Sequence, residues 1–186
     1  YLAYARILLR FENSSETWKF QNLTDTSTLP DYEKRERYGR DFSGTGAPVD
    51  ADGNPVFYKT PASFEAASND GERWRWMLKK AADSGPEGAW RASEALADFL
   101  YDQFDVRTIN RNDSMRERLS ELKDGPYCLH TLSDDETIAN LSSGVRRIKL
   151  PDEFNYIRIY KSLTSKGCWE QVYSRLAEIY SDRRQY

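Results

Sequence analysis

Cys168 and Gln171 stand three residues apart in the run Gly167-Cys168-Trp169-Glu170-Gln171, a spacing that brings a thiol within reach of a glutamine side chain. Attack of the cysteine Sγ on the glutamine Cδ expels ammonia and leaves an internal thioester, an electrophile that a nucleophile can open. The surroundings favour a plainer role. The run opens a helix with core spacing, so Gly167 reads as a turn residue and Trp169 as a core aromatic.

Four other constellations have chemical potential. His130 is the only histidine, and a base or zinc site built on it lacks a second imidazole. Asp50-Ala51-Asp52-Gly53-Asn54 has the oxygen density of a calcium loop, but its glycine comes fourth rather than sixth and no glutamate closes it. It reads as an ordinary turn. Asp134-Asp135-Glu136 offers three carboxylates, which the first turn of a capped helix would explain without catalysis. In Arg73-Trp74-Arg75-Trp76 the aromatic and basic residues alternate as in surfaces that stack bases or bind a partner. Helical spacing turns Trp74 inward and Trp76 about 200 degrees round, leaving Trp76 as the candidate partner contact. No catalytic residue, cofactor site or metal site is assigned, and the chain does not read as an enzyme.

A chain of 186 residues makes one large or two small domains, enough to bury a core. Five Trp, twelve Tyr and eight Phe bring the aromatic share to 13%, and many fall at helical spacing, where they fill gaps between packed helices. The net charge of −3 argues against a general affinity for nucleic-acid phosphate. No apolar run is long enough to span a bilayer, and no signal peptide is visible. Cys128 and Cys168 have neither metal-ligand spacing nor a disulfide-rich pattern.

The elements that must position these residues divide at about residue 60. Residues 1–60 hold a first amphipathic helix over about 2–12 and a loop-rich insertion. A short helix opened by Pro30 and Asp31 falls inside it, and the Asp-Gly turn between Val49 and Val56 makes a small β-hairpin or tight loop. Residues 61–186 read as a helical array. Pro61-Ala62-Ser63 starts one helix, and Asn69-Asp70 caps or breaks it before the next. That helix carries Trp74, Met77, Leu78 and Ala81 inward and ends at Ser84-Gly85-Pro86. A partner runs from Pro86 to Phe104, and another begins near Asn112 with Met115, Leu119 and Leu122 inward. Ser133 with Glu136 forms a capping box for a short helix closing at Gly144. The stretch 146–150 is extended, Pro151-Asp152 opens a helix with Phe154, Ile157 and Tyr160 on one side, and the last helix buries Val172, Leu176 and Ile179.

Tyr173, Leu176, Ala177 and Tyr180 follow the aromatic-x-x-Leu-small-x-x-Tyr pattern of the first helix in a tetratricopeptide (TPR) hairpin, and Arg183-Arg184-Gln185-Tyr186 falls where its turn would be. The expected fold is therefore all-α, with antiparallel helix pairs stacked as a TPR-like array. Because half of such a pair cannot bury its own face, the chain reads as a piece of something longer. Several blocks carry a wider likeness: 52–58 (Asp-Gly-Asn-Pro-Val-Phe-Tyr), 70–76 (Asp-Gly-Glu-Arg-Trp-Arg-Trp), 97–100, 132–139, 150–155 and 183–186. Spread over some three quarters of the chain, they resemble the helical region of large bacterial alpha-2-macroglobulin-family proteins.

That resemblance implies a non-catalytic scaffold or docking segment of a large exported endopeptidase inhibitor, periplasmic or extracellular, whose partners are other domains of the same longer chain. It carries over no functional residue, since neither β-sandwich domains nor a bait segment are visible. Family members that form a thioester use Gly-Cys-Gly-Glu-Gln or Cys-Leu-Glu-Gln; Trp169 and Val172 depart from those patterns. Two alternatives stay open. One is a TPR-like protein–protein adaptor unrelated to protease inhibition, and the other is a covalent trap through Cys168 and Gln171.

Overall fold

The computed structural model describes residues 1–10, 47, 49–111, 119, 122–164 and 169–185. Five α-helices lie among them: α1 (Leu2–Arg10), α2 (Asp70–Ala82), α3 (Pro86–Phe104), α4 (Tyr156–Leu163) and α5 (Trp169–Asp182). One antiparallel hairpin joins β1 (Glu136–Leu141) to β2 (Gly144–Lys149), with Thr137 opposite Ile148 and Ala139 opposite Arg146.

Local chemistry sets the helix bounds. Asn69 caps α2 by accepting the Glu72 N–H at 2.9 Å, and the Glu72 carboxylate reaches back to accept the Ser68 N–H at 2.7 Å, closing the chain entry onto the first turn. Gly85 has φ +132 between α2 and α3, a conformation open to glycine, and Pro86 then starts α3 with φ already helical. Asn155 caps α4 by accepting the Arg158 N–H at 3.0 Å. At the end of α5, Gln185 N–H bonds to Tyr180 O and Arg184 N–H to Ser181 O, each at 2.9 Å. With Arg184 at φ +55, this is a Schellman stop built without glycine.

The core lies between α3 and the elements around it. Trp74 is fully buried against Phe99, ring centroids 4.6 Å apart, and Phe57 packs between Phe104 at 5.6 Å and Phe154 at 4.8 Å. Burying one such indole contributes about 4–6 kcal/mol of transfer free energy before ordering costs. Alternation along β1 sends Ala139 and Leu141 into this core, while Ile138 joins a smaller cluster with Val106, Ile109, Leu129 and Leu132.

Close approach of α2 and α3 depends on Gly88. A Cβ there would lie 2.1 Å from the Ala81 carbonyl oxygen, a backbone atom with little room to move. Gly88→Ala is expected to cost about 1–3 kcal/mol through this overlap. The urea midpoint should fall at unchanged m-value; an unmoved midpoint would show that the helices separate freely.

The expected all-α, TPR-like array is not what forms. Its short helix from Ser133 to Gly144 is replaced by the β1–β2 hairpin. The capping-box contact exists, since Glu136 Oε2 accepts from Ser133 N–H at 3.2 Å and Ser133 Oγ–H at 2.9 Å. It closes a turn into a strand instead of a helix. β-Branched Thr137 and Ile138, the Ser142-Ser143 turn and Gly144 at φ +111 favour the extended pair. The remaining helices, 9, 13, 19, 8 and 14 residues long, do not repeat as equal pairs.

Smaller differences have local causes. Residues 61–68 form bends and turns rather than a helix, with Ser63 Oγ accepting the Ala66 N–H. Leu119 is buried as expected, but Leu122 is exposed. Val49 and Pro55 form the expected small antiparallel bridge, turned at Gly53 with φ +79. Ala47 adds to the edge of β1 by bonding Asn140 and Ser142. The expected helices at Pro30 and from Asn112, and residues 11–12 of the first helix, lie outside the described residues.

Candidate functional site

Two arrangements of polar groups stand out. The first is internal. Asp105 follows the last residue of α3 and is fully buried. Its Oδ1 accepts the Arg107 N–H at 2.9 Å and its Oδ2 accepts the Tyr156 O–H at 2.8 Å. Tyr156 Oη in turn accepts from Arg183 Nη2 at 2.7 Å, and Arg183 Nη1 reaches Ser133 O at 3.2 Å. Thr137 Oγ donates to Phe104 O at 2.7 Å. Ends of α3, β1, α4 and α5 are thereby tied by one buried chain of hydrogen bonds.

Burial dominates the proton affinity of Asp105. Desolvation pushes its pKa up to about 6 against the Arg107 N–H, the Tyr156 hydroxyl and the Arg183 cation, all of which favour the carboxylate. Tyr156 is raised by the same desolvation and by the Asp105 charge. Asp105, Tyr156 and Arg183 are all shut from solvent, so the network ties the fold together from within.

The second arrangement opens to the surface. A cleft of about 220 Å³ lies between α2, α3 and the segments carrying Tyr58 and Phe154. Leu78, Ala82, Ala92, Leu96 and Phe154 give it an apolar lining, and the exposed Lys59, Lys79 and Glu153 stand around it. Arg75 also lines it, although only 6% of the residue is exposed. The guanidinium lies 5.4 Å from the Phe99 ring centroid, 5.5 Å from that of Trp74 and 5.9 Å from that of Tyr58, so three aromatic faces hold it. Its Nη1 donates to Gly71 O at 3.0 Å, while buried Nε has no acceptor.

Desolvation lowers the Arg75 pKa to about 10, with Tyr58 and Glu72 opposing. It remains a cation at neutral pH. Glu72, the acid nearest in sequence, is engaged by the Ser68 N–H. The cleft therefore joins an apolar lining to a desolvated cation that Glu72 and Tyr58 stabilise electrostatically.

A further cleft of about 630 Å³ is lined by Glu94, Asp98, Tyr160, Gln171, Arg175 and Glu178, among others. Tyr160 donates to Asp98 at 2.6 Å and Arg175 pairs with Glu178 at 2.7 Å, so much of its polar lining is internally bonded. Burial, then repulsion from Asp98, raises the Glu94 pKa.

The residues singled out in sequence scatter. Gln171 is exposed on α5, whereas Cys168 lies outside the described residues; Cys128 is free and buried. His130 is exposed in a 3-10 turn, where its carbonyl accepts from Gln185. Asp50 holds its own turn by accepting Asp52 and Asn54 N–H groups. Asp134, Asp135 and Glu136 do not open a helix but pair with Lys161, Lys149 and Arg147. Trp76 is half-buried, edge-on to Tyr1 and Phe64 with Lys80 over its ring. No cluster able to hold a metal ion occurs among the described residues, and none of their helices is long and apolar enough to cross a membrane.

Arg75 and Arg183 fall in runs noted from the sequence, but neither is read there as a buried cation. An arginine on an amphipathic helix ordinarily reads as solvated, and their surroundings come from residues distant in the chain. Compared with protein-family models, curated proteins and solved structures, the chain matches none.

Proposed function

We propose that this chain is a non-catalytic scaffold and docking segment of a large exported macroglobulin-like endopeptidase inhibitor. The cleft at Arg75 supports the docking part, because its apolar lining with two exposed lysines, Lys59 and Lys79, at its rim suits retention of a ligand group. The family part rests on the residue blocks quoted from the sequence. Those blocks pack on one another: Phe57 meets Phe154, Trp74 meets Phe99, and Arg183 reaches Ser133. Such mutual packing fits a structural role for them.

The parent chain and residues 1–186 alone, each incubated with trypsin and casein, test this reading. The parent should slow casein cleavage and the isolated segment should not. A parent that leaves cleavage untouched would overturn the inhibitor assignment.

A further inference from the structure

We propose that the cleft between α2 and α3 docks an acidic segment of a protein partner, with one aliphatic side chain on the apolar lining and flanking carboxylates at Lys59 and Lys79. The inference rests on the docking reading above and specifies what docks.

Charge names the partner. The chain carries a net charge of −3, yet Lys59, Arg75 and Lys79 line this cleft against the single acid Glu153. Arg75 is shut from solvent and contributes only its field. Lys59 and Lys79 are exposed and stand at the surface. Other lysines are already engaged: Lys149 pairs with Asp135, Lys161 with Asp134, and Lys80 lies over the Trp76 ring. Among the described residues no ion pair engages Lys59 or Lys79. A carboxylate brought to either one therefore displaces no acid of the protein's own.

Shape names the anchor. Leu78 and Ala82 come from α2, Ala92 and Leu96 from α3, and Phe154 from the 3-10 turn before α4. The two alanines leave room between the helices that longer side chains would fill. At about 220 Å³ the space is below that of a drug-sized ligand site and suits about one aliphatic side chain. A fatty acid fits less well, since it brings one carboxylate and a long acyl chain. The two lysines stand on separate stretches, Lys59 before α2 and Lys79 within it, and so can serve two acids. A peptide with leucine between glutamates meets both demands, and its ends leave through the open side.

The probes are acetyl-Gly-Glu-Leu-Glu-Gly-amide, the same peptide with both glutamates replaced by glutamine, and decanoate. Each is titrated into the protein and followed by amide NMR shifts. The acidic peptide should bind, with the largest shifts at residues of α2 and α3 lining the cleft. The glutamine peptide should bind about tenfold more weakly, having lost two exposed ion pairs. Exchanging the peptide's leucine for alanine should also weaken it about tenfold. Lys59→Ala and Lys79→Ala are exposed changes that leave the core intact. Each should weaken the acidic peptide about threefold and the glutamine peptide hardly at all. No binding of the acidic peptide, equal affinities for the two peptides, or an affinity unmoved by both lysine changes would overturn the inference. Decanoate seated in the cleft more tightly than the acidic peptide would overturn it as well. None of these results bears on the trypsin assay of the parent chain, so the inhibitor reading stands or falls separately.

Discussion

Replacing Arg183 with methionine is expected to lower stability at neutral pH by about 3–5 kcal/mol, the usual cost of stranding one member of a buried charged set. Methionine has a comparable length and fills much of the same space, so the loss is chiefly electrostatic. Arg183 has no solvent exposure and is among the largest fully buried side chains. Removing it takes the donor from Tyr156 Oη and the nearby cation from Asp105. It also frees the Ser133 carbonyl and loosens the link between the end of α5 and the turn before β1. Urea unfolding at pH 7 measures the effect.

Two companion variants separate charge from packing. Arg183→Lys keeps the charge but cannot reach Tyr156 and Ser133 together with one ammonium, so it should recover only part of the loss. Combining Arg183→Met with Asp105→Asn removes both charges and should be less destabilising than adding the two single effects. Strict additivity would show that Arg183 acts by packing alone.

Parts of this fold were legible because local chemistry decides them. Ser84-Gly85-Pro86 punctuates the chain whatever surrounds it, and α3 runs from Pro86 to Phe104 as the pattern indicated. Asn69 caps α2, and Trp74, Met77, Leu78 and Ala81 are buried along one stripe. Val172, Leu176 and Ile179 do the same for α5. Ser133 and Glu136 misled because their mutual bond is compatible with either backbone course. The extended course is favoured by cross-strand pairing with residues 144–149, a non-local term that spacing alone does not report. The tetratricopeptide-like spacing near the end is real, but it specifies only a helix with one apolar face. Tyr180 uses its hydroxyl on Asp134 rather than presenting a bare apolar edge.

Candidate site residues were less legible for the same reason. The cleft brings together Tyr58, Arg75, Ala92 and Phe154, drawn from four separate stretches. In Arg73-Trp74-Arg75-Trp76 the sequence reading turns on the two tryptophans, yet Arg75 is buried beside Trp74 and is the charged residue deprived of solvent. Arg73 next to it pairs with Asp70 at 2.8 Å. Nothing in the helical wheel distinguishes the two arginines, since the rings over Arg75 include Tyr58 and Phe99 from other segments.

Stability should also fall as pH rises from about 4 to about 6, opposite to the usual acid limb. Asp105 is the cause. Its folded pKa, about 6, lies above the ordinary 3.8, so the native state binds this proton more tightly than the unfolded chain does. Stability from that proton is present below about 4 and is lost as Asp105 ionises toward 6, after which the curve levels. A displacement of this size corresponds to about 3 kcal/mol. Glu136 works in the other direction: its hydrogen bond from Arg147 holds its pKa down to about 2. Its contribution is present above about 4.5 and disappears as pH falls toward 2. The two effects together place a stability maximum near pH 4–5. Urea midpoints measured from pH 3 to 8 should trace that maximum, and Asp105→Asn should flatten most of the decline between 4 and 6. Glu94, also raised by burial, would leave a smaller slope in that variant. A native protein whose midpoint climbs steadily from pH 4 to 7 would show that Asp105 stays ionised in the folded core, with Arg183 outweighing its desolvation.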